Sequence, residues 1–304
     1  VLLATALVGA YVSWTWEPST EAGGGVVVER FPADEVEAIR WRSDKTSLAL
    51  EIRTDQGGRH VWATGPDGGY LASGAADRLL DNLDPLRAAR RLPEPGDARL
   101  RKFGLDEPTR RLTIVRKGGG ERVFELGAHT YGRRHVYARD TDDDRFYVFK
   151  SGLISPLRFA DERLVERSIV GRREAELAKV TVESGPVSQT LHRHNIDDPT
   201  AAFWSIGPDK RESKTAGSWV SKLLRARVAR YLPDGEPEGA EPKLTATVET
   251  TDGESLEIEI AAEDRGDKPT AFYAHSPFNR DWVELKHDTA AGLVADVAEL
   301  AGDR

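Results

Sequence analysis

The sequence predicts an α+β protein: two copies of a mostly antiparallel, β-rich unit with short helices, preceded by an N-terminal membrane-anchor helix. Three observations predict it. From Asp34 onward, stretches of alternating apolar and polar residues recur along the chain, the period-two signature of a strand with one buried face. Short leucine-spaced segments stand between groups of these stretches, at the spacing of one helical face. An uncharged apolar run, Val1–Trp16, opens the chain.

That run covers roughly 24 Å as a helix at ~1.5 Å per residue, short of a ~30 Å hydrocarbon core. A few residues before Val1 would close the gap, and with no methionine the chain is read as starting inside its reading frame or at a non-standard start read as valine. Tyr11, Trp14 and Trp16 fall where an interfacial aromatic belt would sit. Residues 1–17 are therefore read as an uncleaved signal anchor. A cleaved signal peptide, with Val8-Gly9-Ala10 as its small-residue site, and a buried core helix are the competing readings. Residues 18–33 are read as a flexible linker, Gly-rich over Pro18–Gly25. The absence of cysteine excludes disulfides, zinc–thiolate sites, a cysteine nucleophile and a lipid anchor on cysteine.

In the body, 36–41, 48–52 and 61–63 read as strands, followed by a Gly-Pro-Asp-Gly-Gly turn. A helix is expected over 75–86 with Leu79, Leu80, Leu83 and Leu86 on one face, its end limited by Pro85. The stretch Lys102–Pro108 reads as a tight turn in which Gly104 takes an unusual backbone angle and Pro108 leads into the next strand. Residues 112–116 and 122–126 form a hairpin about Gly118-Gly119-Gly120. A second hairpin, 136–139 with 145–149, turns at Thr141–Asp144, and helix is expected within 151–166.

The same order returns from about Glu174. Strands 177–183, 188–194 and 203–205 precede a helical segment at 218–224, and Arg227–Leu232 echoes Arg87–Leu92. Phe272-Tyr273-Ala274 matches Val136-Tyr137-Ala138, and Asp281-Trp282-Val283 matches Phe146-Tyr147-Val148. The expected division is thus one repeat over 34–170 and another over 171–304, a period too long for a solenoid. Trp41, Trp62, Trp204, Trp219 and Trp282 fall at core-facing or matched positions, which makes them packing residues rather than a sugar-stacking platform.

Trp62, the Leu79-Leu80-Leu83 helix and above all Phe103-Gly104-Leu105-Asp106-Glu107-Pro108 carry a family resemblance. Over most of the chain after Asp34 the sequence resembles the domain-of-unknown-function family 4340. The resemblance implies an anchored envelope protein, often encoded beside ABC-transporter subunits of the gliding-motility auxiliary type. It implies no catalytic residue, and the Phe103, Gly104, Leu105, Asp106 and Pro108 motif is read as structural. The second repeat keeps only Pro242 and nearby acidity opposite that turn.

No catalytic signature rises from the remainder. There is no G-x-S-x-G elbow, and the glycine runs lack the strand–loop–helix context of a phosphate loop. His192 and His194 alternate on one strand and would share a face, with Asp197 or Asp198 as a third metal ligand; an exposed strand end is the preferred reading. Asp140–Asp144 offers oxygens for calcium but lacks the glycine and distal glutamate of a twelve-residue loop, so it is read as a solvated hairpin tip. No cofactor and no metal are expected.

A net charge of −8 argues against a surface given over to nucleic acid. Locally the balance reverses: between Arg87 and Lys117, ten basic residues stand against four acidic ones. Arg87, Arg90, Arg91, Arg101, Lys102, Arg110 and Arg111 form a candidate patch for an anionic partner, weighed against solvated faces paired with nearby carboxylates. The sequence therefore points first to a non-enzymatic, extracytoplasmic accessory or scaffold protein. It would be held at the inner membrane of a bacterial envelope with its body in the periplasm, among protein partners. A binding module for an anionic polymer or glycan is the alternative, and a carboxylate-dependent hydrolase is third.

Overall fold

The structure, a computed structural model, describes residues 25–198, 200–232 and 235–302. The expected anchor helix lies outside the described residues. Along the chain come β1 (Val26–Glu29), β2 (Val36–Arg42), β3 (Ser47–Asp55), β4 (Gly58–Gly65), β5 (Gly68–Leu71), α1 (Gly74–Asp81), β6 (Leu86–Ala88), β7 (Arg90–Leu92) and α2 (Asp97–Phe103). Then follow β8 (Arg110–Arg116), β9 (Glu121–His129), β10 (His135–Asp140), β11 (Arg145–Lys150), α3 (Ser151–Arg158) and α4 (Ala160–Arg163). The rest comprises β12 (Leu177–Ser184), β13 (Val187–His194), β14 (Phe203–Ile206), α5 (Lys214–Arg225), β15 (Val228–Tyr231), β16 (Glu241–Thr250), β17 (Ser255–Glu263), β18 (Ala271–His275), β19 (Val283–Leu285), α6 (His287–Ala295) and α7 (Val297–Gly302). The class is α+β, with antiparallel sheets and a few short helices.

The chain divides into two compact units, one reaching to Ala49 and resuming over Ala75–Phe159, the other made of Leu50–Gly74 and Ala160–Arg304. In the first, antiparallel pairing runs in the order β2-β8-β9-β10-β11-β7. Alternation sets its two faces: Leu112, Ile114, Phe124, Leu126, Val136, Ala138 and Phe149 are buried on one, and α3 contributes Leu153, Ile154 and Leu157 to the core. The three glycines of the β8–β9 turn all have positive φ, at 81°, 102° and 98°, which a non-glycine residue adopts at a cost.

The helix expected over 75–86 stops at Asp81. Pro85 cannot continue it, and Leu83 instead pairs antiparallel with Leu86, which opens β6. The Lys102–Pro108 stretch holds more than a turn: Asp97–Phe103 is a helix. Gly104 ends it in the left-handed conformation at φ 63° and ψ 34°, its N–H turned back to Arg101 and Leu100 carbonyls, as in a Schellman-type cap.

The second unit carries an eight-stranded antiparallel sheet in the order β14-β13-β12-β16-β17-β18-β19-β15. Its core packs Val180, Val182, Leu244, Ala246, Val248, Ile258 and Ile260 with Val220 and Leu223 of α5 and Leu293 of α6. Ser213 caps α5 by accepting from the Ala216 N–H at 3.1 Å, and Trp219, buried, donates its Nε1–H to Leu293 O at 3.0 Å. The β4–β5 hairpin joins this unit's core through Leu71, Trp62 and Tyr70. Trp62 meets Tyr231 edge-on at 6.2 Å, and Arg280 grips Asp55 with its Nε at 2.6 Å. Trp41, Trp204, Trp219 and Trp282 are buried as expected, and Trp62 is half-buried. Among the described residues no helix is long and apolar enough to cross a membrane.

Candidate functional site

Strand geometry divides the basic stretch between faces. Neighbours on a strand point to opposite sides, so Arg110 and Arg111 of β8 part company. Arg111 is exposed and reaches Glu125 on β9 at 3.0 Å, whereas Arg110 lies half-buried beside Leu126, its register partner. Arg87 is exposed and donates to Gly25 O at 3.1 Å. Arg90 and Arg91 are exposed on β7, and Arg91 is near enough to Asp143 to help hold that carboxyl low. Arg101 and Lys102 are exposed in the last turn of α2, where positive charge suits the helix dipole.

The motif residues beside them hold α2 onto the sheet. Phe103 stacks on Tyr137 of β10 at 4.1 Å, Leu105 is buried, and Asp106 is exposed. The approach is close: a Cβ built on Gly127 of β9 would stand 2.1 Å from Phe103 O. A register shift between β9 and β10 falls at this point, the local irregularity of a bulge.

The acidic tip Asp140–Asp144 is not simply a solvated turn. Asp140 is fully buried and accepts from Arg122 Nη2 at 2.5 Å. The same guanidinium reaches Asp142 at 3.2 Å and Asp143 at 2.8 Å, while its Nε lies 3.2 Å from Glu29 of β1; Glu29 also pairs with Arg116. Thr141–Asp144 are exposed, as a solvated tip requires; the expectation fails at Asp140, which Arg122 on the neighbouring strand holds buried while also reaching Asp142 and Asp143. Burial pushes the Asp140 carboxyl up, against the pull of the Asp142 N–H and Arg122. Burial would lower the Arg122 guanidinium, but the Asp143 hydrogen bond and the charges of Asp140 and Glu29 override it and raise it.

On β13, His194 Nε2 lies 2.8 Å from Ser205 Oγ. The Ser205 hydroxyl is donated to Gly207 O at 3.0 Å, so His194 is the donor in the pair. His192 is held below the ordinary histidine value by burial, then by Lys179 and His194. Asp198 turns back to accept from the N–H and hydroxyl of Thr200 at 3.0 and 2.7 Å. Among the described residues no group of three or more His, Cys, Asp or Glu side chains is placed to hold a metal ion.

A third cluster was not visible in the sequence. His129, at the end of β9, is spanned by α3: Ser151 Oγ lies 3.2 Å from its Nδ1 and Arg158 Nη1 lies 3.4 Å from its Nε2. His135 O is a second neighbour of Nδ1, at 3.2 Å. Burial, then Arg110, holds the His129 imidazole below its ordinary value. A shallow cleft in the second unit, about 300 Å³, is lined by Gly171, Arg172, Glu176, Thr250, Thr251, Asp252 and Glu254; Arg172 bonds Glu254 there at 2.6 Å.

Comparison with curated proteins and with solved structures returned no match. A family model does match, over residues 62–246, more than half of the chain and including the Phe103–Pro108 turn. The chain belongs to that family, described as Domain of unknown function (DUF4340).

Proposed function

We propose that this chain is a non-enzymatic, membrane-anchored extracytoplasmic protein, an accessory or scaffold subunit of a larger envelope assembly. The observation that carries the reading is where the chain spends its reactive side chains. Asp140, Asp143 and Arg122 tie β9 to the β10–β11 turn, His194 and Ser205 tie β13 to β14, and Asp198 closes its own turn. Groups used this way stiffen the β-rich unit that holds them, and stiff β-rich units suit a protein that presents surfaces to partners. Val1–Trp16 and the Gly-rich segment after it supply the tether, with the body in the periplasm. An ABC-type transport or motility complex is the assembly that the family resemblance suggests.

The same reading takes the body as a diverged duplication over 34–170 and 171–304. Its support is the strand order. β2-β8-β9-β10-β11-β7 and β12-β16-β17-β18-β19-β15 step through the chain in the same way, with Tyr137 and Tyr273 on corresponding strands.

The test is affinity capture of the full chain from detergent-solubilised membranes. Recovery of a permease or its ATPase is expected; the chain emerging alone overturns the assembly reading.

A further inference from the structure

In the first unit, two arginines and a histidine come together, and among the described residues no carboxylate lies within ion-pair distance of either arginine. Arg158 Nη1 donates to His129 Nε2 at 3.4 Å, which makes Nε2 the acceptor and places the His129 proton on Nδ1. That proton faces His135 O and Ser151 Oγ, each at 3.2 Å, and the Ser151 hydroxyl is itself donated to Arg133 O at 2.8 Å. Ser151 and Arg158 open and close α3, seven residues apart and so on one helical face. A neutral His129 thus orients the Arg158 guanidinium from one side.

Arg110 enters from β8 on the same sheet face as His129: it pairs with Leu126, which pairs with Ala138, and His129 pairs with Val136 two residues away on β10. Its guanidinium is half-buried, and among the described residues it has neither a hydrogen-bond acceptor nor a carboxylate within ion-pair distance. Burial, then the charge of Arg158, lowers its pKa, and Asp44 offsets them only in part. Arg133 adds positive charge on the β9–β10 turn. Elsewhere in this unit the guanidiniums of Arg122, Arg139 and Arg111 have carboxylates. A half-buried guanidinium beside a second cation, with no ion-paired anion, is costly, and bidentate oxyanions are what such forks match best.

We infer that Arg110 and Arg158, the latter oriented by His129, form a binding site for a phosphate-class oxyanion. The donor set fits a tetrahedral group approached by two guanidinium forks, either free or carried on a lipid headgroup. Phe159, 40% exposed with the Arg158 guanidinium 5.5 Å from its ring centroid, borders the site. The site is independent of the assembly reading, since capture of partners and anion binding are separate measurements.

The full chain in neutral detergent is titrated with inorganic phosphate and, in a second arm, with detergent micelles doped with phosphatidylglycerol. The readout is the His129 imidazole resonance, assigned with H129Q. A saturable shift with phosphate supports a site for free oxyanion; a shift with phosphatidylglycerol alone supports a headgroup site. Either R110Q or R158Q weakens binding about tenfold or more, while R101Q/K102Q on α2 leaves it unchanged. Should one arginine variant fail to fold, the other carries the comparison. No saturable shift in either arm overturns the proposal, as does binding equal to wild type in a folded R110Q or R158Q.

Discussion

Replacing Arg122 with methionine probes how the acidic turn of the first unit is held. Asp140 is fully buried and Arg122 only 17% exposed, so removing the guanidinium strands a carboxylate whose remaining support is the Asp142 N–H at 3.1 Å. Breaking a buried pair from one side costs about 3–5 kcal/mol. Asp140 then escapes part of the penalty by taking up a proton. Its pKa is already raised by burial, and loss of Arg122 raises it further. A carboxyl whose folded pKa lies above its unfolded value opposes folding as pH climbs from the unfolded to the folded value. The R122M penalty is therefore greatest near neutral pH and shrinks as pH falls toward the ordinary aspartate range. Replacing Asp140 as well, in R122M/D140N, recovers part of the loss because no buried charge remains. Urea unfolding of the three proteins at neutral and mildly acidic pH measures this. A loss under about 1 kcal/mol for R122M at neutral pH, below the range for a broken buried pair, refutes the reasoning.

Three further outcomes follow from the same structure. Gly127→Ala places a Cβ 2.1 Å from Phe103 O, so α2 must lift from β9; a loss of about 1–3 kcal/mol and a weakened Phe103–Tyr137 ring contact in NMR are expected. Trp219→Phe removes the donor to Leu293 O and leaves that acceptor buried, at about 1–3 kcal/mol, read by thermal or urea melts. His129 and His192 titrate below the ordinary histidine value because burial disfavours their charged forms. Their contribution to stability is therefore complete above the unfolded value and is lost as pH falls from it toward the folded values. Imidazole NMR titration detects this, and values above the ordinary one contradict it.

Much of the fold was legible because its signals are local. Period two marks β2, β8, β9, β12 and β13, the three glycines after β8 mark their turn, and Gly104 falls where a left-handed residue is needed. What stayed hidden depends on distant packing. α2 buries none of its own residues, so Asp97–Phe103 has no apolar stripe to announce a helix. β6 and β7 are three residues each, too short for an alternation to register. Leu86 carries on the leucine spacing of α1, yet Pro85 diverts it into a strand. The candidate basic patch looked continuous because adjacency in sequence conceals that Arg110 and Arg111 face opposite ways. The oxyanion cluster draws on β8, β9 and α3, and no spacing rule links Arg110, His129 and Arg158. Likewise, burial of Asp140 follows from Arg122 on the neighbouring strand, a pairing that only the register reveals.

The assembly reading is tested most directly by the composition and mass of the particle that holds the full chain in gently solubilised membranes. The account predicts a particle well above the mass of the chain alone, containing at least one integral membrane subunit in fixed proportion. A monodisperse monomer, with no partner at stoichiometric level, contradicts it.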